Sequence, residues 1–202
     1  MQDKQACDLI SNHELFWDIL DEKRKELLPA MANFKDDFYL AGGTALALQL
    51  GHRDSIDFDF FIQDSFSTSE LFKKLNIIFS GHKLTKTQEE KDTLSILIDD
   101  NIKMSFFTYS YELVRPLINS EYFKIASIED IGLMKLSAIT SRSVMKDYVD
   151  LYFILQQHKI EEIIEQCQNI FDKQFNDKLF LEQLCYFEDI DFTQSIDYQK
   201  DA

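Results

Sequence analysis

The feature that most constrains this chain is the segment Ser55-Ile-Asp-Phe-Asp-Phe-Phe-Ile62, where acidic and large apolar residues alternate. A period of two is that of a β-strand, so Asp57 and Asp59 are expected on one face and Ile56, Phe58 and Phe60 on the other. Like charges on one strand face repel unless a cation lies between them. The segment therefore predicts a sheet with one buried face and an acidic face turned toward something positive.

The surrounding pattern places that strand. Apolar spacing from Ser11 to about Leu28 predicts a helix that Pro29 ends. Phe38 to Ala41 reads as a short strand running into Gly42-Gly43, with Thr44 capping a helix through Leu50 that Gly51 closes. A helix over 67–79, with Ser67 or Thr68 as its cap, precedes strands at 82–88, 93–98 and 102–109. The last two are joined by the turn Asp99-Asp100-Asn101. One more strand is predicted at 122–126. Ser127-Ile-Glu-Asp130 then has the form of a capping box, and helical periodicity runs on to about residue 186 as three or four helices. The expected fold class is α/β (α+β): a mixed-sheet domain over 1–110 with an N-terminal helix, and a mainly helical part over 111–202 packed on it.

Composition narrows the function classes. A net charge of −15 disfavours a nonspecific nucleic-acid binder, whose affinity rests on basic patches against phosphate. No apolar run approaches the ~20 residues of a membrane span, and the N-terminus lacks the basic-then-apolar pattern of a signal peptide. Cys7, Cys167 and Cys185 form no CxxC pair and, being three, no closed disulfide set. A cytoplasmic location and no membrane partner are the expectation. His13, His52, His82 and His158 show no zinc spacing.

The chemistry centres on Gly42-Gly43-Thr44. Glycines let a phosphate approach the backbone, and the free N–H groups opening the following helix favour anions. Twelve residues separate Thr44 from Asp57, about one helix and a turn, which brings the Gly-Gly turn and the Asp pair to the same end of neighbouring strands. Paired carboxylates are a common support for Mg²⁺, which fills its shell with water and substrate phosphates. Arg53 and Ser55 stand beside them.

Gly42-Gly43-Thr44 followed by Gly51-His52-Arg53-x-Ser55-x-Asp57-x-Asp59 resembles the nucleotidyltransferase core of the DNA polymerase β superfamily. It is most similar to the AbiEii/AbiGii-type nucleotidyltransferases, the toxin halves of abortive-infection and toxin–antitoxin pairs. A second block, Lys135-Leu-Ser-Ala138, Arg142 and Lys146-Asp147-x-x-Asp150-Leu151, resembles that family's downstream motifs. The resemblance implies that Gly42, Gly43 and Thr44 contact a triphosphate, with Arg53 and Ser55 beside the phosphates. It implies Asp57 and Asp59 as Mg²⁺ ligands and catalytic carboxylates, Lys135 neutralising phosphate charge, and Asp150, with or without Asp147, orienting or activating the attacking group. It also implies an NTP substrate, an acceptor hydroxyl such as a tRNA 3′ end or other RNA, and an antitoxin protein as partner.

Projected as one continuous helix at about 100° per residue, Lys135, Arg142, Lys146 and Asp150 share a sector while Asp147 points away from Lys135. That projection favours Asp150 over Asp147. Many sites of this superfamily use a third carboxylate on a following strand, and the inward position of Ile102–Phe107 is Ser105. Two other readings therefore stand beside the transferase: a catalytically idle nucleotide-binding interaction module, and a small-molecule transferase of the antibiotic-modifying kind.

Overall fold

The computed structural model describes residues 15–139, 144–171, 176–186, 188 and 190. Cys7, His13 and Arg142 lie outside the described residues, as does the start of the helix expected from Ser11. Seven strands form one mixed sheet: β1 (Tyr39–Ala41), β2 (Phe58–Ile62), β3 (Leu84–Glu90), β4 (Thr93–Ile98), β5 (Ile102–Thr108), β6 (Ile118–Asn119) and β7 (Lys124–Ile125). Their order is β3-β4-β5-β2-β1-β7-β6. β2 runs parallel to β5 and antiparallel to β1, and β1 runs parallel to β7. The helices are α1 (Glu22–Met31), α2 (Gly42–Leu50), α3 (Thr68–Ile78), α4 (Ile128–Ile139), α5 (Met145–Leu155), α6 (Ile160–Phe171) and α7 (Asp177–Cys185).

The two faces of β2 and β5 carry different chemistry. Phe58, Phe60, Met104 and Phe106 are fully buried on one face, where the Phe34 ring stands edge-on to Phe60 at 4.9 Å and to Phe106 at 5.6 Å. Such edge-to-face pairs add about 0.5–1.5 kcal/mol each beyond the apolar area they bury. The opposite face carries Asp59, Phe61, Ser105 and Phe107, with Asp59 in register between Ala41 of β1 and Ser105 of β5. Ser105 in turn pairs with Ser95 of β4, whose hydroxyl donates to Ser105 Oγ at 3.1 Å.

Several boundaries depart from the sequence pattern. α1 starts at Glu22, capped by the Asp21 side chain, and runs through Pro29 to Met31. Leu27, Leu28 and Met31 are buried on the core, so packing retains a turn that a proline alone would end. α2 starts at Gly42 with no side-chain cap, which puts Thr44 inside its first turn. β2 starts at Phe58, so Asp57 precedes the ladder and Ile56 escapes the alternation: it is 53% exposed. The sheet also continues past residue 110 through β6 and β7, and the helical part begins only at Ile128. Asp130 does not close a capping box. The Ser127 hydroxyl accepts from the Asp130 N–H at 3.0 Å, but the Asp130 carboxylate turns to the N–H groups of Val114 and Arg115.

Other expectations hold in detail. Ser67 caps α3, and Asp99 and Asp100 both take positive φ in the β4–β5 turn. Cys167 is buried in α6, where burial pushes its thiol up to about 12, whereas Cys185 of α7 is exposed. α4 is the centre of the helical part and packs against α2, α5, α6 and α7.

Candidate active site

A cleft of about 590 Å³ lies between the open face of the sheet and the α4–α5 pair. Gly42, Gly43 and Thr44 at the start of α2, Arg53, Ser55, Asp57, Asp59 and Lys135 all line it. Eight of the nine expected site residues therefore meet in one cavity. Lys103, Lys146, Asp147, Phe61, Phe107 and Met134 complete its wall. Four basic side chains in one cleft contrast with the chain's net charge of −15.

The first turn of α2 is shaped by steric demands. Gly42 has φ +72°, and a Cβ there would stand 3.2 Å from Asp59 Oδ2. A Cβ on Gly43 would lie 2.4 Å from Arg53 Nη2. Both glycines thus make room for charged side chains as well as leaving backbone N–H groups accessible. The Thr44 hydroxyl lies 2.8 Å from Ser55 Oγ and also bonds to the Asp57 carbonyl, tying the loop 55–57 to α2. Thr44 and Ser55 are thereby spent on each other, although both border the cleft.

The ninth residue, Asp150, requires a correction. Its side chain has no exposure and lies behind the cleft wall. It accepts from His52 Nε2 at 2.9 Å, from Arg53 Nε at 2.7 Å and Nη2 at 2.9 Å, and it pairs with Lys135 Nζ at 2.6 Å. A carboxylate so enclosed cannot meet an attacking group. Burial alone would push this carboxyl up, but the Lys135 ammonium, the His52 ring and the Arg53 guanidinium outweigh it and hold the group well below the usual range. Lys135 is the counterpart: burial would lower it, yet Asp150 and Asp147 keep it above its ordinary value.

Asp147 also differs from the helical projection. It pairs with Lys135 Nζ at 2.7 Å and lines the cleft. The projection failed because the helix is broken: α4 ends at Ile139, and Val144 is extended (φ −107°, ψ 125°) before α5 begins. His52 was missed as well. It stands in the run Gly51-His52-Arg53 that carries the resemblance but has no role assigned there; its place next to Arg53 brings both side chains to Asp150, and its ring packs on Phe153 at 4.9 Å.

Among the described residues no group of three or more His, Cys, Asp or Glu is arranged to hold a metal. The Asp57–Asp59 pair nevertheless fits a hard divalent ion. It offers carboxylate oxygens only, and the missing Cβ of Gly42 leaves space beside Asp59 Oδ2. Such a pair leaves most of the ion's shell to water and substrate oxygens.

The sheet order, the Gly-Gly turn at the head of α2 and the carboxylate pair facing a cationic helical wall define a nucleotidyltransferase. The family model described as "Nucleotidyl transferase AbiEii toxin, Type IV TA system" matches residues 26–202, and the chain belongs to this family. An uncharacterized protein of Aquifex aeolicus (strain VF5) is 36% identical over 182 residues, covering 84% of each chain. The crystal structure of JHP933 from Helicobacter pylori superposes with a TM-score of 0.53 at 19% identity, over 82% of this chain and 90% of that one. The antibiotic-resistance factor ANT(2″)-Ia gives the same TM-score, 0.53, at 15% identity, over 74% and 92%. Both share the fold. Among the described residues no helix is long and apolar enough to cross a membrane.

Proposed function

We propose that the cleft binds an NTP with Mg²⁺ and transfers its nucleoside monophosphate to an acceptor hydroxyl, releasing pyrophosphate. The observation that carries this reading is the meeting of Asp57 and Asp59, the opening of α2, and the Lys135–Arg53 cluster in one cavity. Asp57 and Asp59 would hold the ion, which supplies charge neutralisation at the α-phosphoryl group and its leaving oxygen. The backbone N–H groups opening α2 bind phosphate oxygens, reinforced by the helix dipole. Lys135 presents a permanent positive charge, because two buried carboxylates keep it protonated. Lys103 and Lys146 add cations farther along the wall, and Phe61, Phe107 and Met134 provide apolar surface for a nucleobase.

Asp150 acts by position. It fixes Arg53 and Lys135 relative to α2, and Asp147, itself buried at the edge of the cleft, holds Lys135 from the other side. The acceptor we propose is an RNA end, tRNA included; the cationic wall supports an anionic partner more than a neutral one. As a toxin of a toxin–antitoxin family, the protein would be held in check by an antitoxin.

The test is a transfer assay with each α-labelled NTP in turn, Mg²⁺ and total RNA, with Asp57→Asn alongside. Label on RNA that is lost in the variant is the expected result. Label transferred equally by both proteins would overturn the assignment of the ion site. Pyrophosphate release without labelled RNA would keep the site and replace the acceptor.

A further inference from the structure

The loop from Asp54 to Asp57 lies between a single bridge residue, Arg53, and the ladder of β2, so strand pairing does not fix it. Three side chains hold its carbonyls instead. Arg53 Nη1 donates to Asp54 O at 2.9 Å, Arg24 Nε donates to Ile56 O at 2.7 Å, and Thr44 Oγ1 donates to Asp57 O. Arg24 reaches across from the first turn of α1, thirty-two residues earlier in the chain. It is only 4% exposed, and its Nη1 pairs with the carboxylate of Asp21, the cap of α1. It also lies before residue 26, where the family match begins.

These bonds have a specific consequence for Asp57. The carbonyl of Ile56 and the N–H of Asp57 share one rigid peptide plane, and the carbonyl of Asp57 belongs to the next. Arg24 clamps the first plane and Thr44 the second. With both planes fixed, the direction of the Asp57 Cα–Cβ bond is fixed; Thr44 alone would leave it free to swing. A guanidinium can do this because one planar fork serves both Ile56 and Asp21, which a single ammonium cannot do equally.

We propose that Arg24 is a positioning residue for the Asp57 carboxylate. The inference rests on the reading of Asp57 and Asp59 as the divalent-ion site, and the test separates the two. Mn²⁺ binding to the full chain is measured by electron paramagnetic resonance, beside the melting temperature. Asp57→Asn should abolish binding; if it binds Mn²⁺ like the wild type, the ion-site reading fails whatever Arg24 does. Given that Asp57→Asn loses the ion, Arg24→Gln should weaken Mn²⁺ about tenfold, as loss of an outer partner of a metal ligand does.

Asp21→Ala is the control for stability. It removes the cap and the ion pair but leaves the Arg24–Ile56 bond, so it should lower the melting temperature and keep Mn²⁺ affinity within about twofold. Wild-type affinity in Arg24→Gln, or equal weakening in Asp21→Ala, would overturn the proposal. If Arg24→Gln does not fold, Arg24→Lys decides. It keeps the charge but must divide one nitrogen between two acceptors, and should weaken Mn²⁺ about threefold or more. Unchanged affinity in Arg24→Lys would then overturn the proposal.

Discussion

Two acidic centres lie on either side of the opening of α2, and they are built in opposite ways. The carboxylates of Asp57 and Asp59 border the cleft, and among the described residues no side chain bonds to that of Asp57. Asp150 is sealed in and saturated by His52, Arg53 and Lys135. The first centre has the backbone of Asp57 held by side chains of other elements and opens onto the cleft. The second has its charge consumed internally, and its product is the placement of two cations. Carboxylates in one region thus divide into a pair that borders the cleft, proposed above as the ion site, and one that arranges the cations beside it.

The comparison can be broken at several points. The largest effect is expected at the open centre: Asp57→Asn should lower turnover by about two to three orders of magnitude, the scale of losing several kcal/mol of charge stabilisation, with the melting temperature unchanged or raised. Steady-state pyrophosphate release and calorimetry check both parts. Asp150→Ala should behave inversely. It strips Arg53 of its buried carboxylate and leaves Lys135 with Asp147 alone, and should cost about 3–5 kcal/mol of stability by denaturant titration, as removal of one partner of a buried pair does. A variant that kept full stability while losing all turnover would place Asp150 in contact with the reacting groups.

Gly43→Ala is the next in size. Its Cβ would fall 2.4 Å from Arg53 Nη2, so the guanidinium must leave Asp150, at about 1–3 kcal/mol. Ser105→Ala should have the least effect. It removes one buried hydroxyl pair, about 1 kcal/mol, and leaves turnover near the wild type, since Ser105 is buried and does not border the cleft.

The buried centre also sets a pH window. Asp150 is held below its ordinary value of 3.8, so its contribution to stability is complete above that value and is lost as pH falls. Lys135 is held above its ordinary 10.5, so its contribution is complete below that value and is lost as pH rises. The melting temperature should be level between about pH 5 and pH 10 and fall on both sides. Asp150→Asn should flatten the acid limb; an acid limb of wild-type steepness would locate the acid sensitivity elsewhere.

The open centre was legible in the sequence and the buried one was legible only in part. The strand alternation gave Asp59, Phe58 and Phe60 their faces, and the distance from Thr44 to Asp57 placed the Gly-Gly turn beside them. Alternation ended one step early at Ile56, because the ladder begins at Phe58 and side chains hold the residues before it. Asp150 and Lys135 were marked by the motif. Their roles were not, because an ion cluster joins residues 52, 53, 135, 147 and 150 through tertiary packing that leaves no period in the chain. Asp147 shows this most clearly, since a continuous-helix projection turns it away from a lysine that it contacts at 2.7 Å. Arg24 carried no signal at all: an arginine on an amphipathic helix is ordinary, and only its burial against the Ile56 carbonyl distinguishes it.

The most direct test of the central claim is pyrophosphate release from each NTP with Mg²⁺, compared for wild type, Asp57→Asn and Asp150→Asn. The division of roles predicts no release from Asp57→Asn at any Mg²⁺ concentration. It predicts reduced release from Asp150→Asn, with a raised NTP requirement, because the cations are misplaced while the ion site survives. Wild-type release from Asp57→Asn would contradict it.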